Sequence, residues 1–82
     1  MLSELNSTEK VVGAKQVKRA LKDGRARKVF VAGDADPRVT QPLAQTAVNL
    51  RVPVEIVSTM RELGAACGIA VGSAAAALVS RS

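Results

Sequence analysis

The sequence predicts an α/β protein, a three-layer α/β/α sandwich around a mixed four-stranded sheet, in a single domain over residues 1–82. Three observations point there. Short apolar, β-rich runs alternate with helical patterns, turn signals built from Gly, Asp and Pro separate them, and 82 residues leave room for one modest core. There is no internal repeat and no low-complexity linker to suggest a second unit.

Taken in order, Lys10 to Val12 reads as a short strand that delivers a helix over Lys15 to Lys22, closed by the turn signal Asp23-Gly24. Lys28-Val29-Phe30-Val31-Ala32 is apolar on both faces, as an interior strand of a covered sheet must be. A loop follows at Gly33-Asp34-Ala35-Asp36-Pro37. Thr40 is expected to cap the next helix with Pro42 in its first turn, and Leu43, Ala44, Ala47 and Val48 form its apolar face. Pro53 limits that helix and opens the strand Val54 to Val57. Thr59 and Glu62 have capping-box spacing, which starts a helix over Met60 to Cys67 that stops at Gly68. The alanine-rich segment Ala74 to Val79 favours helix by propensity, yet its apolar character and the preceding alternation assign it as a buried strand.

The helix that begins after Gly13 carries the strongest functional signal. At about 100° per residue, Lys15, Lys18, Arg19 and Lys22 share one arc, with Ala14, Val17, Ala20 and Leu21 roughly opposite. The apolar arc can pack on a sheet while the cationic arc faces a partner. Backbone N–H groups at a helix start are unpaired and lie at the positive end of the helix dipole, which favours an anion. A net charge of +5 extends the same preference to polyanions.

Composition also excludes. With no His and a single Cys, Cys67, the chain lacks the usual zinc ligand sets, the usual general base and an internal disulfide. No Walker-type spacing is present, and Gly13-Ala14-Lys15 is too short for a phosphate loop. No catalytic residue, metal or cofactor is expected. The start Met1-Leu2-Ser3-Glu4-Leu5 has no basic region followed by an apolar core, and no uninterrupted apolar run reaches about 18 residues, so neither secretion nor a membrane span is expected. The expected location is the cytoplasm.

Three separated motifs then stand in a familiar order: Gly13-Ala14-Lys15-Gln16 with Arg19, Asp34-Ala35-Asp36-Pro37, and Leu63 to Gly72. From about Val11 to Val79 the chain resembles the ribosomal L seven Ae and L thirty e family of kink-turn RNA-binding proteins, most nearly its small bacterial members. The resemblance implies a monomer that grips a sharply bent RNA internal loop with tandem sheared G·A pairs, in rRNA, a riboswitch or another structured RNA. It assigns Gly13 to close backbone approach, Lys15 and Gln16 to guanine edges, and Arg19 to a base edge or phosphate. It places Asp36 at the pocket for an extruded nucleotide and sets Ile69, Ala70, Val71 and Gly72 against the bulged bases or sugars. Two positions depart from the family pattern: Ala14 stands where Thr is common, and Ala70 where Glu or another polar residue often occurs.

Each signal also has a plain structural reading. The cations could be a solvated helix face, Asp36 before Pro37 a turn-former or cap, and Gly13, Gly68 and Gly72 backbone accommodations. Ile69 and Val71 read equally well as core residues at the sheet edge and as an RNA-facing loop. Cys67 reads as a small buried hydrophobe. The favoured function is a noncatalytic kink-turn binder; a ribosome-associated protein that contacts rRNA or ribosomal proteins without kink-turn selectivity is the alternative.

Overall fold

The computed structural model describes residues 9–79. Along it run β1 (Lys10–Val12), α1 (Ala14–Lys22), β2 (Ala26–Ala32), α2 (Pro37–Asn49), β3 (Val54–Val57), α3 (Met60–Ala66) and β4 (Ala75–Val79). The N-terminal stretch 1–5, on which the absence of a leader was read, lies outside the described residues. The sheet order is β1-β4-β2-β3, with β4 antiparallel to both β1 and β2, and β2 parallel to β3. It is the expected mixed four-stranded sheet.

Strand alternation sorts the core into two layers. Val29, Val31, Ala75 and Ala77 face Val17 and Leu21 of α1 and Leu43 and Ala47 of α2. On the other side Phe30, Ala32, Ala76 and Leu78 meet Leu63 and Cys67 at α3. The run Ala75-Ala76-Ala77 is fully buried in a central strand, where it pairs with β1 and β2 at once. Its helix propensity of a few tenths of a kcal/mol per residue is overridden by two hydrogen-bonded ladders. Small side chains there let helices close in on both faces.

All three helices end in one way. The residue after the cap has positive φ, at Gly24, Arg51 and Gly68, and paired backbone bonds close the turn: Gly24 N to Leu21 O with Arg25 N to Ala20 O, Arg51 N to Val48 O with Val52 N to Ala47 O, and Gly68 N to Ala65 O with Ile69 N to Gly64 O. Glycine serves at two of these sites. Arg51 does the same with a side chain, at φ 61°.

One cap differs from expectation. α2 starts at Pro37 with Asp36 as its N-cap, the Asp36 carboxylate accepting from Arg38 N at 2.9 Å. Thr40 is instead a buried residue inside the helix. Asp caps at least as well as Thr, and a proline at the first helical position is preorganised, so the earlier start wins. Pro42 falls in the second turn, where its missing N–H leaves the Arg38 carbonyl without its intrahelical donor. Smaller differences are at element ends: α1 begins one residue early, at Ala14, β2 extends back to Ala26, α3 stops at Ala66 with Cys67 as cap, and β4 begins at Ala75. Thr59 caps α3 as expected, accepting from Glu62 N at 3.1 Å.

Candidate nucleic-acid interface

Four connections meet at one end of the sheet, and hydrogen bonds stitch them together. Gly13 N donates to Ala75 O at 2.8 Å, Ala32 N to Ala74 O at 2.9 Å, Gly33 N to Val57 O at 2.7 Å, and Ser73 N to Met60 O at 3.0 Å. Met60 N donates in turn to Asp34 Oδ1 at 2.7 Å. Residues far apart in sequence are thereby held on one surface: Gly13 and the start of α1, the loop 33–36, and the loop 68–74.

Gly13 sits at φ 104° and ψ 145°, a conformation that side chains rarely adopt. It turns β1 into α1 without a side-chain cap, and no acidic residue occupies the first turn. The opening N–H groups of α1 therefore stay available to an anion. Lys15, Gln16, Lys18, Arg19 and Lys22 are all exposed, while Val17, Ala20 and Leu21 are buried, as the two arcs predicted. Among the described residues none of these four cations forms an ion pair. Arg19 lies about 9 Å along the helix from Gly13.

Asp36 is exposed and engaged. Besides capping α2, its carboxylate takes Arg38 Nη2 at 3.1 Å and Nε at 3.3 Å. The side-chain bonds from Arg38, then the backbone one, hold its carboxyl below the usual range. Asp34, which stood in the same motif, instead locks the loop to the first turn of α3.

The loop from Ile69 to Gly72 is a surface feature. Val71 is 71% exposed and Ile69 37%, and Ala70 and Gly72 are exposed too. Ile69 and Val71 therefore lie in an exposed loop, and the reading of them as core residues does not hold. Beneath it, Ser73 is buried with its hydroxyl donating to Ala75 O at 2.7 Å. Cys67 is buried against Phe30 and Leu63, and burial pushes its thiol pKa up.

Two contributors escaped the sequence reading. Gly64 is buried in mid-helix, where an added methyl would run into Val71 O and meet Gly72 Cα at 3.1 Å. Its small size lets the apolar loop fold down on α3. A mid-helix glycine costs about 1 kcal/mol against alanine, so the residue was itself a cue that a backbone passes close. The other is Arg38, which shares a groove with Lys15 and Lys18 although it lies 20 positions after Lys18 in the chain. Among the described residues no group of three or more His, Cys, Asp or Glu could hold a metal ion, and no helix is long and apolar enough to cross a membrane.

The Ribosomal protein L7Ae/L30e/S12e/Gadd45 family matches residues 2–82. The chain belongs to this family. An RNA-binding protein of Geobacillus sp. (strain WCH70) is 47% identical over 75 residues, covering 92% of each chain. The large ribosomal subunit protein eL8 of Halobacterium salinarum is 41% identical over 69 residues, which are 83% of this chain and 58% of that one. Among solved structures, the Giardia lamblia 15.5kD RNA binding protein superposes with a TM-score of 0.83 at 25% identity, over 98% of this chain and 66% of that one. The family membership and this superposition agree with the sandwich read from the sequence.

Proposed function

We propose that this member of the L7Ae family is a noncatalytic RNA-binding protein that recognises and stabilises kink-turns with tandem sheared G·A pairs. One observation carries the reading. Lys15, Lys18, Arg19 and Lys22 stand exposed and, among the described residues, without acidic partners, on a helix whose first N–H groups are uncapped, at the same sheet end as an exposed apolar loop. A solvated helix face of ordinary design would intersperse acids; this one has none.

The chemistry follows from donors and acceptors. Lys15 and Arg19 only donate, which suits guanine O6 and N7, and Gln16 can donate and accept. Regular A-form RNA keeps its major groove closed to side chains, whereas distorted, unpaired bases in a kink open it. Val71 and Ile69 supply apolar surface for a splayed base or sugar, with Ala70 and Gly72 leaving space beside them. Gly13 lets the backbone approach. Asp36, already held by Arg38, would border an extruded nucleotide. The protein acts as a monomer in the cytoplasm in this reading, and the names borne by its RNA-binding relatives support the ligand class.

The similarity to a ribosomal subunit protein favours one second reading, in which the contacts are to rRNA or ribosomal proteins without kink-turn selectivity. A binding titration decides between them. A kink-turn should bind far better than the same RNA with its G·A pairs converted to Watson–Crick pairs. Equal affinity would leave charge attraction as the whole explanation.

A further inference from the structure

We infer that the groove between α1 and α2 holds RNA backbone phosphates, so that the footprint runs from the base-reading face of α1 onto the start of α2. The identity of the RNA rests on the kink-turn reading above; the groove itself rests on separate observations. Its volume is about 320 Å³. Leu21, Val39 and Leu43 contribute apolar wall, and three cations from two helices stand around it: Lys15 and Lys18 from α1, Arg38 from α2.

No carboxylate among the described residues lines this groove. Lys15 and Lys18 make no ion pair among the described residues. Arg38 is 91% exposed at its side chain and touches Asp36 through Nε and Nη2, which leaves Nη1 with no partner among the described residues. A guanidinium has five donors in a planar fork, so it can keep Asp36 and still donate to a second oxyanion. The exposed pair with Asp36 contributes little stability by itself. Its effect is to hold the guanidinium at the groove before a ligand arrives.

The ligand chemistry is that of a phosphate. Lysine and arginine only donate, and three of them from two helices around one groove offer charge-assisted donors that each suit a phosphate oxygen. Continuity selects a nucleic acid over a small anion. Lys15 and Lys18 border both this groove and the shallow face formed with Gln16, Arg19 and Lys22, so a chain that engages one surface passes the other.

Kink-turn RNA and a regular duplex of the same length are titrated with wild-type protein, Lys18→Gln, Arg38→Gln and the double variant over a range of KCl concentrations. Arg61→Gln, an exposed cation on α3 across the sheet, is the control. Melting temperatures confirm that each variant folds. Each groove substitution should weaken binding several-fold and make the slope of log affinity against log salt shallower by about 1. Preference for the kink-turn over its Watson–Crick version should survive, because phosphate contacts position and base contacts specify. A double variant with the slope and affinity of Arg61→Gln overturns the groove and leaves the kink-turn reading standing. Should wild-type protein show no preference for the kink-turn, the base reading fails, while a shallower slope for the groove variants on either RNA still supports the groove.

Discussion

Replacing Gly64 by Ala tests whether the apolar loop is held by the absence of a single side chain. By helix propensity alone the substitution stabilises α3, by about 1 kcal/mol. Tertiary structure reverses the sign. The new methyl would overlap Val71 O and stand 3.0 Å from Val71 C and 3.1 Å from Gly72 Cα, all of them backbone atoms. Side chains can rotate away; this backbone cannot, because Ile69 N bonds Gly64 O at 3.0 Å and Ser73 N bonds Met60 O at 3.0 Å on either side of the contact. Gly72 is also confined, since a Cβ there would be 3.1 Å from Met60 Cβ. Relieving the overlap needs a shift on the order of 1 Å to regain van der Waals separation. That disrupts one or both flanking bonds, each contributing about 1 kcal/mol net, and overpacking generally costs about 1–3 kcal/mol. After the propensity gain the net loss is about 1–4 kcal/mol, or roughly 5–25 °C in melting temperature for a domain of this size. Circular dichroism melts measure it, and kink-turn affinity should fall about tenfold through displacement of Val71, a loss of about 1.4 kcal/mol. Ala65→Gly, at an exposed site on the same helix, is the companion: it should lower stability by about 1 kcal/mol through propensity and leave affinity alone. A Gly64→Ala protein that melts at or above the wild-type temperature and binds unchanged would refute the reasoning.

Three further outcomes are expected. Lys15→Ala and Gln16→Ala should each cost about 1–3 kcal/mol of binding and relax kink-turn discrimination, whereas Lys22→Ala should act mainly on the salt slope; a larger effect of Lys22→Ala on discrimination, read from paired titrations, would misplace the reading face. Val71→Asp should change stability by no more than about 0.5 kcal/mol, because Val71 is 71% exposed, while weakening RNA binding through repulsion from phosphates; unchanged affinity would remove the loop from the site. Arg51→Gly should raise the melting temperature by roughly 2–6 °C, since an L side chain at φ 61° costs about 1–2 kcal/mol and the added chain entropy of glycine cancels only part of that; a lower melting temperature would count against the strain.

What the sequence by itself determined was local in origin. Hydrophobic period and turn chemistry act over a few residues, so the alternation of strands and helices, the cationic arc of α1, the Thr59 cap and the Gly68 stop could all be read without a fold. Competing local signals were harder. Asp36-Pro37 and Thr40 each offered a helix start, and the choice fell to the stronger cap with a preorganised proline behind it. The candidate site was legible in its residue types and only partly in its arrangement. Exposure of Ile69 and Val71 could not be decided from small apolar residues that suit core and loop alike. Tertiary structure decided it by drawing Val71 O onto Gly64 and Ser73 N onto Met60 O. The same holds for Ala75 to Ala77, a strand because β1 and β2 flank it, and for Arg38, which joins Lys15 and Lys18 only once α1 and α2 pack on one face of the sheet. Such contacts join residues from different elements or loops, and no pattern confined to one helix or strand records which backbone will be its neighbour.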